Sequence, residues 1–150
     1  ELSEMSNPNH LRLTKLALVT GFRRSELLSL NWRDIDLQNN RLHVQRKECA
    51  ARGSSSSMRM VPLPQKAKEL LKSFKSKEGS VINLTKGSAR NGFDRARKKA
   101  GLENLRFHDL RHIAISRMWS SGMNALEISA CSGHRDIKML MRYSHYQLSF

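Results

Sequence analysis

One hairpin pattern in an otherwise helical sequence sets the strongest limit on the fold of this chain. Residues 41–46 alternate, with Leu42 and Val44 on one side, and residues 58–63 form a second run that ends at Pro64. Such alternation is typical of half-buried strands, so the two runs predict a β-hairpin. Elsewhere the apolar residues recur at helical spacing. The sequence therefore predicts an α+β domain that is mostly α-helical.

Helices are predicted on both sides of this hairpin. They are expected from Asn7-Pro8-Asn9 to Gly21, at about residues 24–31 and 67–74, and at about residues 88–100, 108–121, 124–131 and 136–145. A short apolar run at residues 81–84 is expected to complete a small antiparallel three-stranded sheet. The segment 48–57, which contains consecutive serines, is expected to be a disordered loop.

The charge balance of the chain indicates a polyanionic partner. There are 27 Lys and Arg against 13 Asp and Glu, which gives a net charge of +14 and an isoelectric point near 10.6. A surface with this charge concentrates polyanions, so nucleic acid is the first partner to consider. A membrane is a weaker candidate, because no apolar run approaches the ~20 residues of a spanning helix.

Length and cysteine content narrow the class of protein further. A chain of 150 residues is long enough for one domain with its own core. Cys49 and Cys131 lie far apart and outside any CxxC pair, so neither a disulfide framework nor a cysteine-rich zinc site is expected. A reducing, cytoplasmic location fits this. The chain begins at Glu1 without a signal sequence, and we expect it to be a fragment of a longer protein.

Candidate chemical groups lie near the ends of predicted helices. Arg23 and Glu26 are three residues apart, so the acid can orient the guanidinium, although pairs of this kind are more often surface ion pairs. His134 follows Gly133 just before a helix, where N–H groups can meet an anion. Tyr143 follows in the same helix, although most tyrosines only pack or hydrogen-bond.

A second group lies at the start of the helix predicted at residues 108–121. His108 and Arg111 share one helical face, and both can donate hydrogen bonds to a phosphate. His108 and His112 have a spacing that can hold zinc on a helix, but the glutamate of the HExxH pattern is missing between them. Zinc binding is therefore the weaker interpretation.

The order of these groups resembles a known family. The motifs are T-G-F-R-R-S-E at residues 20–26, H-D-L-R-H at 108–112, S-G-H at 132–134 and R-Y-S-H at 142–145. In order and spacing they resemble the tyrosine recombinases, which include the phage integrases. The resemblance covers nearly the entire chain. It implies that residues 1–150 form the catalytic domain of that family, with the N-terminal core-binding domain outside this chain.

The resemblance also implies a set of site residues. The catalytic set is Arg23, Lys47, His108, Arg111, His134 and Tyr143, with Glu26 supporting the first arginine. Lys47 is the least direct match, because the chain inserts residues 49–57 where relatives have a short turn. Arg46 or Arg52 is the alternative. Ser132 stands where the family more often has leucine, a change expected to affect packing more than chemistry.

These residue types suit the breakage of a phosphodiester by transesterification. A tyrosine hydroxyl with a pKa of about 10 is a weak nucleophile at neutral pH and needs a base or a cationic environment. Arginines can clamp the non-bridging oxygens, and Lys47 can protonate the leaving 5′ oxygen. His108 would assist proton transfer at the tyrosine and His134 would donate a hydrogen bond to the phosphate, although these two roles can be exchanged. No cofactor, metal ion or ATP is implied.

The expected substrate is double-stranded DNA at attachment sites, and the expected source is a bacterium, a phage or a mobile element. We expect a tetramer on synapsed DNA for the full-length protein and a monomer for this domain alone. One alternative is a type IB topoisomerase, which uses similar residues; the compact motif spacing favours a recombinase. The other is a catalytically silent DNA-binding module whose basic surface binds phosphates.

Overall fold

Helices surround one small antiparallel sheet in the computed structural model, which describes residues 7–45 and 58–144. In chain order the elements are α1 (Pro8–Thr20), α2 (Arg24–Ser29), a 3₁₀ helix (Trp32–Asp34), β1 (Ile35–Asp36), β2 (Arg41–Gln45), β3 (Met58–Pro62), α3 (Gln65–Lys72), α4 (Lys86–Lys99), α5 (Phe107–Ser120), α6 (Ala125–Ser132) and α7 (Lys138–Met141). The prediction of a mostly α-helical α+β fold is confirmed.

The sheet has the order β1-β2-β3, and the predicted hairpin is its larger part. Leu42 of β2 lies opposite Val61 of β3, and both side chains are buried. The prediction of a strand at residues 81–84 is wrong. Val81 and Ile82, which begin this run, are buried in the core but do not pair as a strand. The residue before them, Ser80, forms an isolated β-bridge with Asn31. The third strand is instead β1, whose two residues pair with the start of β2.

Local sequence explains where α1 begins and ends. The side chain of Asn7 accepts a hydrogen bond from the backbone N–H of Asn9 at 2.9 Å, and Pro8 occupies the first turn. The helix ends at Gly21, whose φ of 68° is left-handed. A β-carbon at Gly21 would lie 3.4 Å from Cβ of Ala114, so the end of α1 lies directly against α5. This contact brings the segment after α1 next to α5.

The core lies between α1, α5 and the buried face of the sheet. Its most deeply buried side chains include Leu13, Leu16, Leu27, Leu42, Val61, Ile115, Ile128 and Leu140. Each side chain of this size stabilises the fold by about 1.5–3 kcal/mol when fully buried. The buried leucines of α1 and α2 confirm the apolar faces that the sequence predicted there.

The last predicted helix is much shorter than expected. A helix was predicted at residues 136–145, but α7 has only four residues. Leu140 is its buried residue, whereas Met139 and Met141 are exposed, so no apolar stripe holds a longer helix against the core. Tyr143 follows in a tight turn, and its N–H donates to the carbonyl oxygen of Leu140 at 2.9 Å. The tyrosine therefore lies on a turn rather than within a helix.

Some predictions fall on parts of the chain that the structure does not describe. The loop at residues 48–57 lies outside the described residues, and so do Arg46, Lys47 and Arg52. Within residues 7–45 and 58–144, no helix combines the length and apolar character that crossing a membrane requires.

Candidate active site

One cavity of about 700 Å³ gathers most of the predicted site residues. Helices α2, α5, α6 and α7, strand β3 and the turn after α6 all contribute to its lining. The predicted residues in this lining are Arg23, Glu26, His108, Arg111 and His134. Residues more than a hundred positions apart in the sequence thus meet at one site.

The pair of Arg23 and Glu26 is not a surface ion pair. Arg23 lies just before α2, and its backbone N–H donates to one carboxylate oxygen of Glu26 at 2.8 Å. Its guanidinium lies 3.4 Å from the other oxygen. The side chain of Glu26 is only 3% exposed, whereas that of Arg23 is 43% exposed. Glu26 therefore holds Arg23 from the buried side, and the guanidinium of Arg23 remains accessible to an anion.

Arg111 is a buried cation fixed by contacts on two sides. Its Nη1 donates to the carbonyl oxygen of Gly21 at 2.6 Å. Its Nη2 lies beside the ring of His134, 3.2 Å from Nδ1 and 3.4 Å from Nε2. Burial, followed by the nearby charge of Arg23, lowers the pKa of Arg111 to about 10. The guanidinium therefore stays protonated at neutral pH. A buried cation of this kind is costly unless an anion joins it.

His134 is held by the serines of α6. Gly133 ends that helix with a left-handed φ of 75°, and the carbonyl oxygen of His134 accepts a hydrogen bond from Ser129 at 2.6 Å. The Oγ of Ser132 donates to Ile128 at 2.7 Å and lies 2.7 Å from Nδ1 of His134. A hydroxyl that already donates accepts from Nδ1–H. Nε2 is then the ring nitrogen that can accept from Nη2 of Arg111, 3.4 Å away.

This contact revises the expectation for Ser132, because its hydroxyl directly orients a predicted site residue rather than only filling space. Burial, followed by the charges of Arg111 and Arg23, lowers the pKa of His134 to about 4. The imidazole is therefore neutral at pH 7. The arrival of an anion would favour its protonation.

Tyr143 is connected to the cavity through a row of aromatic side chains. The residue is only 7% exposed, and its hydroxyl is hydrogen-bonded to Nδ1 of His112. The rings of His112 and His108 meet edge to face with centroids 5.0 Å apart, and His108 lines the cavity. Burial, followed by the charges of His112 and Arg111, lowers the pKa of His108. Two histidines thus lie between the phenol and the cavity.

Two residues of the site were missed from sequence. Arg59 on β3 lines the cavity and forms an ion pair with Glu26. Its signal was the alternation of β3, which places Arg59 and Val61 on the same side of the strand. His112 was considered only as a zinc partner of His108. His112 lies one helical turn after His108, and this spacing was the signal that both side chains are on the same face of α5.

The site is strongly cationic. Four arginines and two acids, Glu26 and Asp136, belong to its lining. Among the described residues, no group of three or more His, Cys, Asp or Glu side chains is arranged to hold a metal ion. The paired N–H donors of planar guanidinium groups match the oxygens of a phosphate. The arrangement can therefore bind a phosphoryl group and stabilise negative charge that develops on it.

Comparison with known proteins agrees with this chemistry. The sequence model described as the phage integrase family matches residues 3–149. The chain is 38% identical over 132 residues to the shufflon-specific DNA recombinase of Escherichia coli, an alignment that covers 87% of this chain and 33% of that protein. The chain belongs to the phage integrase family.

Two further integrase-family relatives support this assignment. The tyrosine recombinase XerA of Saccharolobus solfataricus is 32% identical over 139 residues, which cover 91% of this chain and 45% of that protein. The solved catalytic domain of bacteriophage HP1 integrase superposes with a TM-score of 0.70 at 27% identity and covers 98% of this chain and 80% of that one. The predicted family and fold are confirmed. The chain spans less than half the length of the shufflon-specific recombinase and of XerA.

Proposed function

We propose that this integrase-family domain cuts and rejoins DNA through a phosphotyrosine at Tyr143, as part of a site-specific recombinase. The observation that carries the proposal is the meeting of Arg23, Arg111 and His134 around one cavity, beside a histidine row that ends at the tyrosine hydroxyl. The arginine donors and neutral imidazole form a site for an anion, and the buried phenol supplies a nucleophile.

The phosphate would bind between Arg23 and Arg111. Cleavage by in-line attack places additional negative charge on the non-bridging oxygens, and fixed guanidinium donors stabilise that charge. Arg111 is already held by Gly21 and His134, so little reorganisation is needed when the phosphate arrives. His134 would take up a proton on Nε2 as the phosphate approaches and then donate a hydrogen bond to it.

The tyrosine oxygen would form a new bond to phosphorus as the bond to the 5′ oxygen breaks. This step needs a separation of about 3–3.5 Å between the reacting atoms, so the phenol must approach the cavity from its place beside His112. The phenol proton would pass to His112 or His108, which lie in a row from the hydroxyl. The product is a 3′-phosphotyrosine ester.

The leaving 5′ oxygen needs a proton as it departs. Lys47 is the proposed donor, with Arg46 or Arg52 as substitutes. Attack by a 5′ hydroxyl on the phosphotyrosine would reverse the step and reseal the strand, because the ester conserves the energy of the broken bond. Neither a metal ion nor ATP enters this scheme.

The proposed substrate is duplex DNA at a recombination site. The net charge of +14 favours binding to the phosphate backbone. We also propose that the full-length protein works as a tetramer on synapsed sites in a bacterial cytoplasm, and that this domain alone is a monomer. The choice among integration, inversion and resolution depends on partners and DNA sites rather than on the cavity.

A covalent-adduct assay tests the function. The full-length protein is incubated without metal with nicked duplexes tiled across the DNA that flanks its own gene, and SDS-resistant protein–DNA adducts are resolved on a gel. We expect an adduct that maps to Tyr143 and is absent from the Tyr143→Phe variant, while DNA binding is retained. A protein that binds these duplexes but yields no adduct would be a silent DNA-binding module. Adducts that form on every duplex, regardless of sequence, would instead favour a topoisomerase.

A further inference from the structure

Arg59 is a largely buried arginine that lines the cavity, and the proposed reaction gives it no task. Its side chain is 10% exposed, and its Nη1 donates to Oε1 of Glu26 at 2.6 Å. The guanidinium of Arg23 lies farther from the same oxygen, at 3.4 Å. Glu26 is therefore bound more closely by an arginine of the hairpin than by the arginine that it supports.

The same guanidinium packs against the turn that carries His134. A β-carbon added at Gly133 would lie 2.6 Å from Cζ of Arg59, a distance that real side chains do not tolerate. The ring of Phe22, which precedes Arg23, lies 5.6 Å from Cζ on another side. Arg59 thus contacts both segments that carry phosphate-binding groups, the one that follows α1 and the one that follows α6.

This position is costly for the free protein. The Nε and Nη2 atoms of Arg59 are buried and find no acceptor among the described residues. A buried donor without a partner costs about 1–3 kcal/mol. An apolar side chain of similar length often serves stability as well as, or better than, a buried ion pair. A contribution to stability therefore does not explain well why this position holds an arginine.

We infer that Arg59 is a positioning residue for strand cleavage: it fixes Glu26, and with it Arg23, relative to the turn of Gly133 and His134. The inference rests on the proposed function. Two of its guanidinium nitrogens are buried and the third is bound to Glu26, so Arg59 acts through its neighbours rather than by contact with the phosphate. Its loss should therefore slow the chemical step without weakening DNA binding to the same degree.

Three variants of the full-length protein test this role. Arg59→Met removes the charge and keeps most of the length, and Arg59→Lys keeps the charge but loses the planar guanidinium. Arg97→Met is the matched control, because Arg97 is a partly buried arginine paired with Asp94 at 2.9 Å on α4, outside the cavity lining. Thermal unfolding of each variant shows whether it is folded.

Single-turnover adduct formation at saturating protein gives the cleavage rate, and a separate titration of the same nicked duplex gives Kd. A misplacement of about 1 Å can cost roughly 10²-fold in rate, so we expect a loss of that order for Arg59→Met and a smaller loss for Arg59→Lys. Kd should change less than about threefold, because no phosphate contact is lost. Arg97→Met should change neither quantity.

Two further measurements separate positioning from other effects. If Arg59 acts through Glu26, the losses from Arg59→Met and Glu26→Gln should not add in the double variant. A duplex with sulfur in place of the bridging 5′ oxygen has a leaving group that needs no proton donor, because a thiol pKa is about 8.5. This substrate should not restore the rate of Arg59→Met, since the defect lies in the phosphate clamp, which is the pair of Arg23 and Arg111.

The inference is overturned if the folded variants cleave at the wild-type rate, if rate and binding fall in parallel, if the losses add, or if the sulfur substrate restores the rate. If Arg59→Met does not fold, the rate and Kd of Arg59→Lys decide. A wild-type protein that forms no adduct at Tyr143 would instead refute the proposed function, and this inference with it.

Discussion

The two sides of the site differ in how firmly the protein holds them. On the phosphate side, Arg111 is 3% exposed and hydrogen-bonded to backbone and to His134, while Glu26 binds two arginines. On the nucleophile side, Tyr143 follows α7, a helix of four residues whose methionines face solvent. Arg111 and Glu26 are embedded in the core, whereas Tyr143, although itself buried, follows a helix of only four residues.

This difference fits the demands of the proposed reaction. Stabilising charge on a phosphate requires donors that are oriented before the substrate arrives, and orientation requires packing. A nucleophile must instead approach the phosphorus and later carry a covalently bound strand. The turn of Tyr143 and the short α7 can move at less cost than α5 can, because α7 has one buried residue whereas α5 has six. The structure thus fits the proposal of a fixed phosphate clamp and a nucleophile that is easier to displace.

The largest effect within the clamp is expected from Arg111→Lys. Lysine keeps the charge but loses the fork that spans Gly21 and His134, so we expect adduct formation to fall about 10²- to 10³-fold, as when a fixed donor is removed from an anion site. Single-turnover cleavage of the nicked duplex measures this. Arg117→Lys, at an exposed position on the same helix, is the control and should retain the wild-type rate. Cleavage by Arg111→Lys at the wild-type rate would mean that a positive charge at this position is sufficient and that the geometry of the guanidinium is not required.

A smaller effect is expected on the nucleophile side. His112→Phe removes the partner of the Tyr143 hydroxyl but keeps an aromatic ring, and we expect adduct formation to slow by roughly 10-fold, below the usual range for loss of a catalytic base because His108 remains. His112→Gln should recover part of the rate, since its amide can still hydrogen-bond the phenol. Faster cleavage by His112→Phe would show that His112 restrains Tyr143 instead of preparing it.

The clamp was easier to predict from sequence than the elements around it. Glu26, His108 and Arg111 lie on helices whose apolar faces fix which way they point, and Arg23 immediately precedes α2. Spacing alone therefore indicated that each pair lies together. The strand at residues 81–84 failed because a short buried run looks the same whether it pairs or only packs. The true third strand, β1, has two residues and is too short to show alternation.

Arg59 and His112 show what a single sequence leaves open. Alternation places Arg59 on one side of β3, but the register of the hairpin decides that it reaches Glu26 rather than solvent. His112 faces Tyr143 only because the turn after α7 folds back toward α5, and the tyrosine was expected within a longer helix. Both contacts join residues more than thirty positions apart, so no local pattern contained them.

The smallest expected effect concerns the pH dependence of stability at His134. Its pKa in the folded protein is about 4, below the value of about 6.5 expected in the unfolded chain. The unfolded state therefore binds more protons between these values, so the contribution of the neutral imidazole is present above about pH 6.5 and is lost as pH falls toward 4. His134→Asn cannot take up this proton. We expect the wild-type protein to lose a few degrees of Tm relative to His134→Asn between pH 7 and pH 4.5. Tm curves that stay parallel with pH for the two proteins would show that burial and Arg111 do not hold His134 neutral. The phosphate side of the site would then be less rigid at His134 than its contrast with the nucleophile side implies.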